Sequence, residues 1–183
     1  MNKTDLKINI AGLVPDSIVD GPGIRFTVFC QGCAHNCPGC HNPQTHPFNV
    51  GKDYTVLELI KKIQENPLCK GVTFSGGDPM FQPEGFSALA EKLKSLNYEV
   101  ACYTGFTWEA LMKDKSEFAA FRLELLKNID VLIDGPFVLE KKNLDLLFRG
   151  SSNQRIIDVQ KSLIHPELPP VLCTQKRWIG RKR

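Results

Sequence analysis

Ile24-Arg25-Phe26-Thr27-Val28-Phe29-Cys30-Gln31-Gly32-Cys33-Ala34-His35-Asn36-Cys37-Pro38-Gly39-Cys40 is the stretch on which the reading of this chain turns. Its first eight residues alternate as a strand, with Ile24, Phe26, Val28 and Cys30 on one face. That face reads as core, which makes Cys30 a small buried hydrophobe. Directly after the strand, three thiols fall within eight residues as Cys33-x3-Cys37-x2-Cys40. Three thiolates can hold three irons of a 4Fe-4S cubane, whereas an electron-transfer cluster takes four cysteines. One iron is then left to another molecule, and an open coordination position separates a catalytic metal site from a structural one. The chemistry this points to is reductive cleavage of S-adenosylmethionine, whose hard step is making a radical.

Two other metal sites draw on the same cysteines. A four-thiolate zinc site from Cys30, Cys33, Cys37 and Cys40 is formally available, although zinc sites normally separate their two C-x2-C knuckles by a much longer loop. The ferredoxin run C-x2-C-x2-C-x3-C-P is a closer rival, because Cys30-x2-Cys33-x3-Cys37-Pro38 reproduces its last three thiols and its proline. It lacks the first thiol and leaves Cys40 without a place. Both rivals make Cys30 a ligand; the open-cluster reading does not. Cys69, Cys102 and Cys173 stand alone and read as structural.

The 183 residues suffice for one compact domain with a proper core. No run of 18 apolar residues spans a membrane, and Met1-Asn2-Lys3-Thr4-Asp5 lacks the apolar stretch of a signal peptide. The expectation is a cytoplasmic protein whose seven cysteines are metal ligands or buried thiols rather than a disulfide framework. Formal net charge is +3, but five of the 23 basic residues, Lys176, Arg177, Arg181, Lys182 and Arg183, crowd the last eight positions. The body, with 18 basic against 20 acidic residues, is near neutral and suggests no nucleic-acid surface. The tail reads as a solvated, frayed end, with a docking patch as the rarer reading.

Strand-like and helix-like segments alternate along the chain. Thr55-Val56-Leu57-Glu58 is a capping box opening a helix with Val56, Ile60 and Ile63 on one face. Residues 70–74 read as a strand, a helix from about Pro83 carries Phe86, Leu89, Ala90, Leu93 and Leu96, and residues 98–104 form the next strand. Helical material over 108–128 precedes a short strand at Val131-Leu132-Ile133. Such alternation implies parallel strands joined by right-handed crossovers. Four or five units are too few to close a (βα)8 barrel. The predicted fold is therefore α/β, an open partial (βα) barrel. Ligand sites of such folds lie beyond the carboxyl ends of the strands. The cysteine loop, Ser75-Gly76-Gly77-Asp78-Pro79, Thr104-Gly105 and Asp134-Gly135-Pro136 would all collect there. Each turn alone is ordinary punctuation. Beside three thiols they read as a site, in which Gly76 and Gly77 let a ligand lie against backbone amides and Asp78 meets a cationic amine.

Cys33-x3-Cys37-x2-Cys40-His41-Asn42, with Asp20-Gly21-Pro22-Gly23-Ile24-Arg25 before it and Gly76-Gly77-Asp78-Pro79 after it, resembles the radical S-adenosylmethionine enzymes that activate glycyl-radical enzymes. Within that group, the short length and Asp134-Gly135-Pro136-Phe137 leading to Arg149-Gly150-Ser151-Ser152-Asn153-Gln154-Arg155 are similar to the branch acting on anaerobic ribonucleoside-triphosphate reductases, rather than to the longer pyruvate formate-lyase activators. The resemblance runs from about Lys7 to Asp158. It implies one radical S-adenosylmethionine domain over 1–183, with a core of about 7–158 and a C-terminal extension at 163–183.

The resemblance also implies roles. Cys33, Cys37 and Cys40 hold the 4Fe-4S cluster, and the methionyl amine and carboxylate of S-adenosylmethionine chelate the fourth iron. Reductive cleavage gives methionine and a 5'-deoxyadenosyl radical, which takes a Cα hydrogen from a glycine in the large subunit of the reductase. The electron comes from a low-potential donor such as flavodoxin. Gly76, Gly77 and Asp78 attend the aminoacyl end of the cofactor. Many radical enzymes carry an aromatic residue just before the third cysteine; here it is Gly39, so adenine recognition falls to backbone around Gly39 and Cys40 and to the His41 ring. Asp20 faces the incoming glycyl loop, unless it is simply a turn residue. Arg25 alternates away from the core face and points into the partial barrel, where a charge needs a partner or a ligand. His35 is either solvent-exposed or functional. The other classes left open are a small-molecule radical enzyme, such as a deazaguanine-forming synthase, and an iron-sulfur electron carrier.

Overall fold

Residues 2–179 are described by the computed structural model, and seven strands among them form one sheet. These are β1 (Lys7–Ser17), β2 (Arg25–Cys30), β3 (Lys52–Thr55), β4 (Gly71–Gly76), β5 (Glu99–Tyr103), β6 (Val131–Asp134) and β7 (Arg155–Asp158). Their order is β3-β1-β2-β4-β5-β6-β7. The central strands β2, β4, β5 and β6 are parallel, as the alternation predicts. The flanking strands β1, β3 and β7 are antiparallel to their neighbours, so the sheet is mixed. A parallel neighbour needs a crossover of a dozen or more residues, usually a helix. The segment 18–24 is too short for one, so the chain turns straight back from β1 into β2.

The helices are α1 (Val56–Gln64), α2 (Pro83–Ser95), α3 (Trp108–Met112), α4 (Ala119–Lys127), α5 (Val159–Ser162) and α6 (Lys176–Ile179). The capping box forms as expected: Thr55 Oγ1 accepts from the Glu58 N–H at 3.2 Å, and the Glu58 carboxylate accepts from the Thr55 N–H at 2.7 Å. The helical run expected over 108–128 is broken. Asp114 accepts from the Ser116 N–H at 2.9 Å, an Asx turn that competes with helix. It also pairs at 2.7 Å with Arg122, which is buried with its guanidinium 4.5 Å from the centre of the Phe106 ring.

Strand alternation divides the interior. Phe26, Val28, Cys30, Val72, Phe74, Val100, Cys102 and Leu132 pack with α1, α2, α3 and α4 into the main core. The opposite face presents Arg25, Thr27 and Thr73, then Ala101, Val131 and Ile133, which join Ile156, Cys173 and Trp178 in a second cluster. Trp178 corrects the expectation of a solvated, frayed end. It is fully buried, 5.5 Å from the Phe148 ring and 5.3 Å from the Arg25 guanidinium, and its neighbour Arg177 pairs with Glu99. Arg181, Lys182 and Arg183 lie outside the described residues. Among the described residues no helix is long and apolar enough to cross a membrane.

Candidate functional site

Parallel pairing of β2 with β4 brings the cysteine loop against the glycine turn. The Gly77 N–H donates to the Cys30 carbonyl at 2.7 Å and the Asp78 N–H to the Gly32 carbonyl at 3.0 Å. The loop is fastened from its other side as well, where the Gly32 N–H donates to Thr45 at 2.8 Å and the Cys33 N–H to His46 at 3.0 Å. Above the loop lies a cavity of about 900 Å³ lined by Cys33, Cys37 and Cys40, and by the turns after β4, β5 and β6 at Ser75–Gly77, Tyr103–Gly105 and Gly135. The other four cysteines are buried and do not line it, and no disulfide forms.

Cys30 has no exposed surface; its sulfur accepts from Gln82 Nε2 at 3.2 Å, and burial pushes its thiol far above the usual range. Burial also pushes the Cys33 thiol up to about 11, outweighing the opposing hydrogen bond from the His35 backbone N–H. Among the described residues no three His, Cys, Asp or Glu side chains converge as ligands of a single ion. The cysteines of a cubane go to different irons, so they share a cavity rather than a point.

Gly76 and Gly77 line the cavity, and the backbone itself demands glycine at both. Gly76 lies at φ +89°, where a Cβ would stand 2.8 Å from the Cys30 backbone nitrogen; a Cβ on Gly77 would stand 2.5 Å from the Gly32 oxygen. Asp78, expected beside a ligand amine, is engaged by the protein itself. It is 1% exposed, does not line the cavity, and accepts hydrogen bonds from Met80, Thr104, Gly105 and His35. Gly39 is also away from the lining; it lies at φ +71° with a Leu139 methyl 2.9 Å from the site of a Cβ, which explains why no aromatic residue stands there. Cys40 and His41 do line the cavity, and the His41 ring lies 5.1 Å from the Phe137 ring. Asp20 lines it too, its carboxylate accepting from Ser17 and, at 3.0 Å, from Thr27. Arg25 begins β2, at the far end of the strand from the thiols, and does not line the cavity. It donates to Thr73 at 2.7 Å and to Glu99 at 2.9 Å; burial lowers its proton affinity and Glu99 opposes that loss.

Several lining residues receive no role from the sequence. Phe137 faces His41 from the loop after β6, Tyr103 donates its hydroxyl to the Phe148 carbonyl at 2.9 Å, and Arg149 has no carboxylate partner among the described residues. Two apolar lips flank the mouth. Ile18 and Val19, 71% and 72% exposed, form one; Leu144, 86% exposed, and Leu147 form the other. The adjacent apolar pairs Ile18-Val19 and Leu146-Leu147 are visible in the sequence as apolar residues in segments that belong to no strand or helix.

A family model described as a 4Fe-4S single cluster domain matches residues 19–157, the span that carries the three thiols and the three turns after β4, β5 and β6. The chain is 34% identical over 144 residues to the anaerobic ribonucleoside-triphosphate reductase-activating protein of Escherichia coli (strain K12), covering 76% of this chain and 92% of that protein. It is 36% identical over 151 residues to the protein of that name from Vibrio cholerae, covering 78% and 92%. The counterpart from Enterobacteria phage T4 is 34% identical over 158 residues, covering 81% and 93%. Matched along most of its length by proteins of one name, and carrying the single-cluster domain, the chain belongs to the anaerobic ribonucleoside-triphosphate reductase-activating protein family.

Proposed function

We propose that this chain activates an anaerobic ribonucleoside-triphosphate reductase by installing a glycyl radical on its large subunit, with a 4Fe-4S cluster on Cys33, Cys37 and Cys40 and S-adenosylmethionine as cofactors. One observation carries the reading: of seven cysteines, these three line the cavity and the other four are buried away from it. The donor set fits a cubane with one iron free of protein, and the cavity volume falls in the range of cofactor sites, about 300–1,000 Å³. When bound, the cluster supplies a low-potential electron and an open iron, and S-adenosylmethionine supplies the 5'-deoxyadenosyl group that takes hydrogen from the partner's glycine.

The residues of the chain bind, orient and enclose. Backbone of Ser75–Gly77 receives the methionyl end, and the His41 and Phe137 rings flank the adenine, replacing the aromatic residue absent at Gly39. Asp20, on the cavity wall, faces the incoming glycine. The lips at Ile18-Val19 and Leu144–Leu147 grip the partner's loop, since exposed apolar patches bounded by polar surface mark protein contacts. Closing the mouth with the partner keeps water and stray hydrogen donors from the radical. The same reading makes residues 1–183 one radical S-adenosylmethionine domain, an open partial (βα) barrel with its core at about 7–158. Confinement of the long helices to one face of the sheet, with the cavity on the other side, supports that architecture. Flavodoxin or a similar donor supplies the electron, in the cytoplasm.

The test is anaerobic reconstitution with reductant, S-adenosylmethionine and the reductase. It should yield 5'-deoxyadenosine and a glycyl-radical doublet in electron paramagnetic resonance. Cleavage without a doublet would remove the partner assignment, and no cleavage at all would remove the radical chemistry.

A further inference from the structure

His35 stands between two of the loop cysteines, yet its ring is held by other elements. Its Nε2 lies 2.8 Å from Asp78 Oδ2, and its ring centre lies 4.6 Å from that of Phe106 and 5.4 Å from that of Phe81. Asp78, after β4, also accepts from the Thr104 hydroxyl and the Gly105 N–H, after β5, each at 2.9 Å, and from the Met80 N–H at 2.9 Å. An ionised carboxylate only accepts, so His35 donates from Nε2. Three donors crowd Oδ2 and Met80 holds Oδ1, and the side chain is buried and away from the cavity wall, out of reach of a ligand amine. Gly105 is shaped to the ring: a Cβ there would stand 2.4 Å from His35 Cδ2.

We propose that His35 and Asp78 form a clasp that seats the Cys33–Cys37 segment on the turns after β4 and β5, Asp78 being a positioning residue for the thiols and not a contact to S-adenosylmethionine. The proposal rests on Cys33, Cys37 and Cys40 being the cluster ligands. One carboxylate thereby joins the loop after β2 to the ends of β4 and β5. Partners of this kind, one shell beyond the metal, are worth about ten- to a hundredfold in metal affinity.

Cluster retention against an iron chelator, with neither S-adenosylmethionine nor reductase present, tests it. For His35→Ala the chelator concentration that strips half the iron should fall about ten- to a hundredfold. His35→Gln, which keeps an N–H donor, should recover most of that loss. Asp78→Asn should lose iron as His35→Ala does. An Asp78→Asn protein that keeps its iron but loses the change in cluster resonance on adding S-adenosylmethionine would make Asp78 a cofactor contact and overturn the clasp, as would a His35→Ala protein with wild-type retention. Should the variants fold poorly, nitrogen-15 spectra of the wild-type apoprotein should still show a slowly exchanging, downfield His35 Nε2 proton, and its absence is equally fatal. A failed clasp would leave cofactor cleavage and the glycyl doublet intact, whereas a failed activase reading would leave the chelator result standing.

Discussion

Cys30→Ala separates the open cluster from its four-ligand rivals, because Cys30 is the thiol on which they disagree. The side chain is wholly buried in the main core, so the substitution deletes one sulfur from a packed interior. Removing a single methyl-sized group from a core costs about 0.5–1.5 kcal/mol. Gln82, which donates to that sulfur, keeps acceptors in the Asn9 carbonyl at 2.9 Å and the Gln31 carbonyl at 2.8 Å, so no buried donor is orphaned. The expected cost is therefore about 1 kcal/mol, a fall in melting temperature of about 2–4 °C for a chain of this size. Iron and sulfide content should stay at the wild-type level. Cys33→Ala, Cys37→Ala and Cys40→Ala each remove a proposed ligand from the cavity and should lose the cluster with it. The assay is iron, sulfide and thermal unfolding of the four alanine variants side by side, anaerobically reconstituted. A Cys30→Ala protein that loses iron as badly as Cys33→Ala would refute the assignment and restore the ferredoxin-like or zinc ligand set.

Charge placed on the lips should uncouple the two halves of the reaction: Ile18→Asp combined with Leu144→Asp should leave cofactor cleavage intact while weakening activation of the reductase by about tenfold or more, the scale of one lost hot spot. Gly77→Val should lose cluster and cofactor binding together, because its side chain would strike the Gly32 carbonyl next to Cys33; iron content and S-adenosylmethionine titration read this directly. At the Glu109–Arg155 pair, the hydrogen bonds from Arg155 at 2.8 and 2.9 Å hold the Glu109 carboxyl down at about 2, below its ordinary 4.5. A folded value below the unfolded one means that the pair's stabilisation is complete above about pH 4.5 and fades as pH falls through about 2. Melting temperatures of wild type and Glu109→Gln should thus differ at neutral pH and converge toward pH 2, and the difference should be small because Glu109 is half exposed.

What the sequence discloses and what it withholds divide along sequence distance. β2 is legible because both of its faces obey a period of two, and α1 because its cap is written in four consecutive residues. The thiols are legible because their spacing is local. β3 and β7 have four residues each, too few to show a period, and β1 is interrupted by register shifts near Gly12 and Pro15. Asp78 reads as a ligand contact because of the glycines beside it, while His35, 2.8 Å away in space, lies 43 residues away in sequence. Trp178 is misread because its basic neighbours suggest solvent, while Phe148 and Arg25, which bury it, are remote in sequence.

Arg25 shows how the same sheet serves both ends of the molecule. Its guanidinium reaches from β2 to the Val72 carbonyl on β4 and to both the carboxylate and the carbonyl of Glu99 on β5, pinning three parallel strands at their starts. Gly71 leaves the room for it, since a Cβ there would stand 2.4 Å from Arg25 Nη1. The pin agrees with a register in which Arg25 faces Gly71 and, five residues on, Cys30 faces Gly76. A slip of one residue would turn Cys30 out of the core and draw Gly76 away from the Cys30 backbone. It would also part Gly77 from the Cys30 carbonyl and Asp78 from the Gly32 carbonyl, and with them the His35 contact. The charge that sequence reasoning points into the partial barrel, in need of a partner or a ligand, is thus paired inside the sheet, where it fixes the alignment that lets the thiol loop and the glycine turn meet.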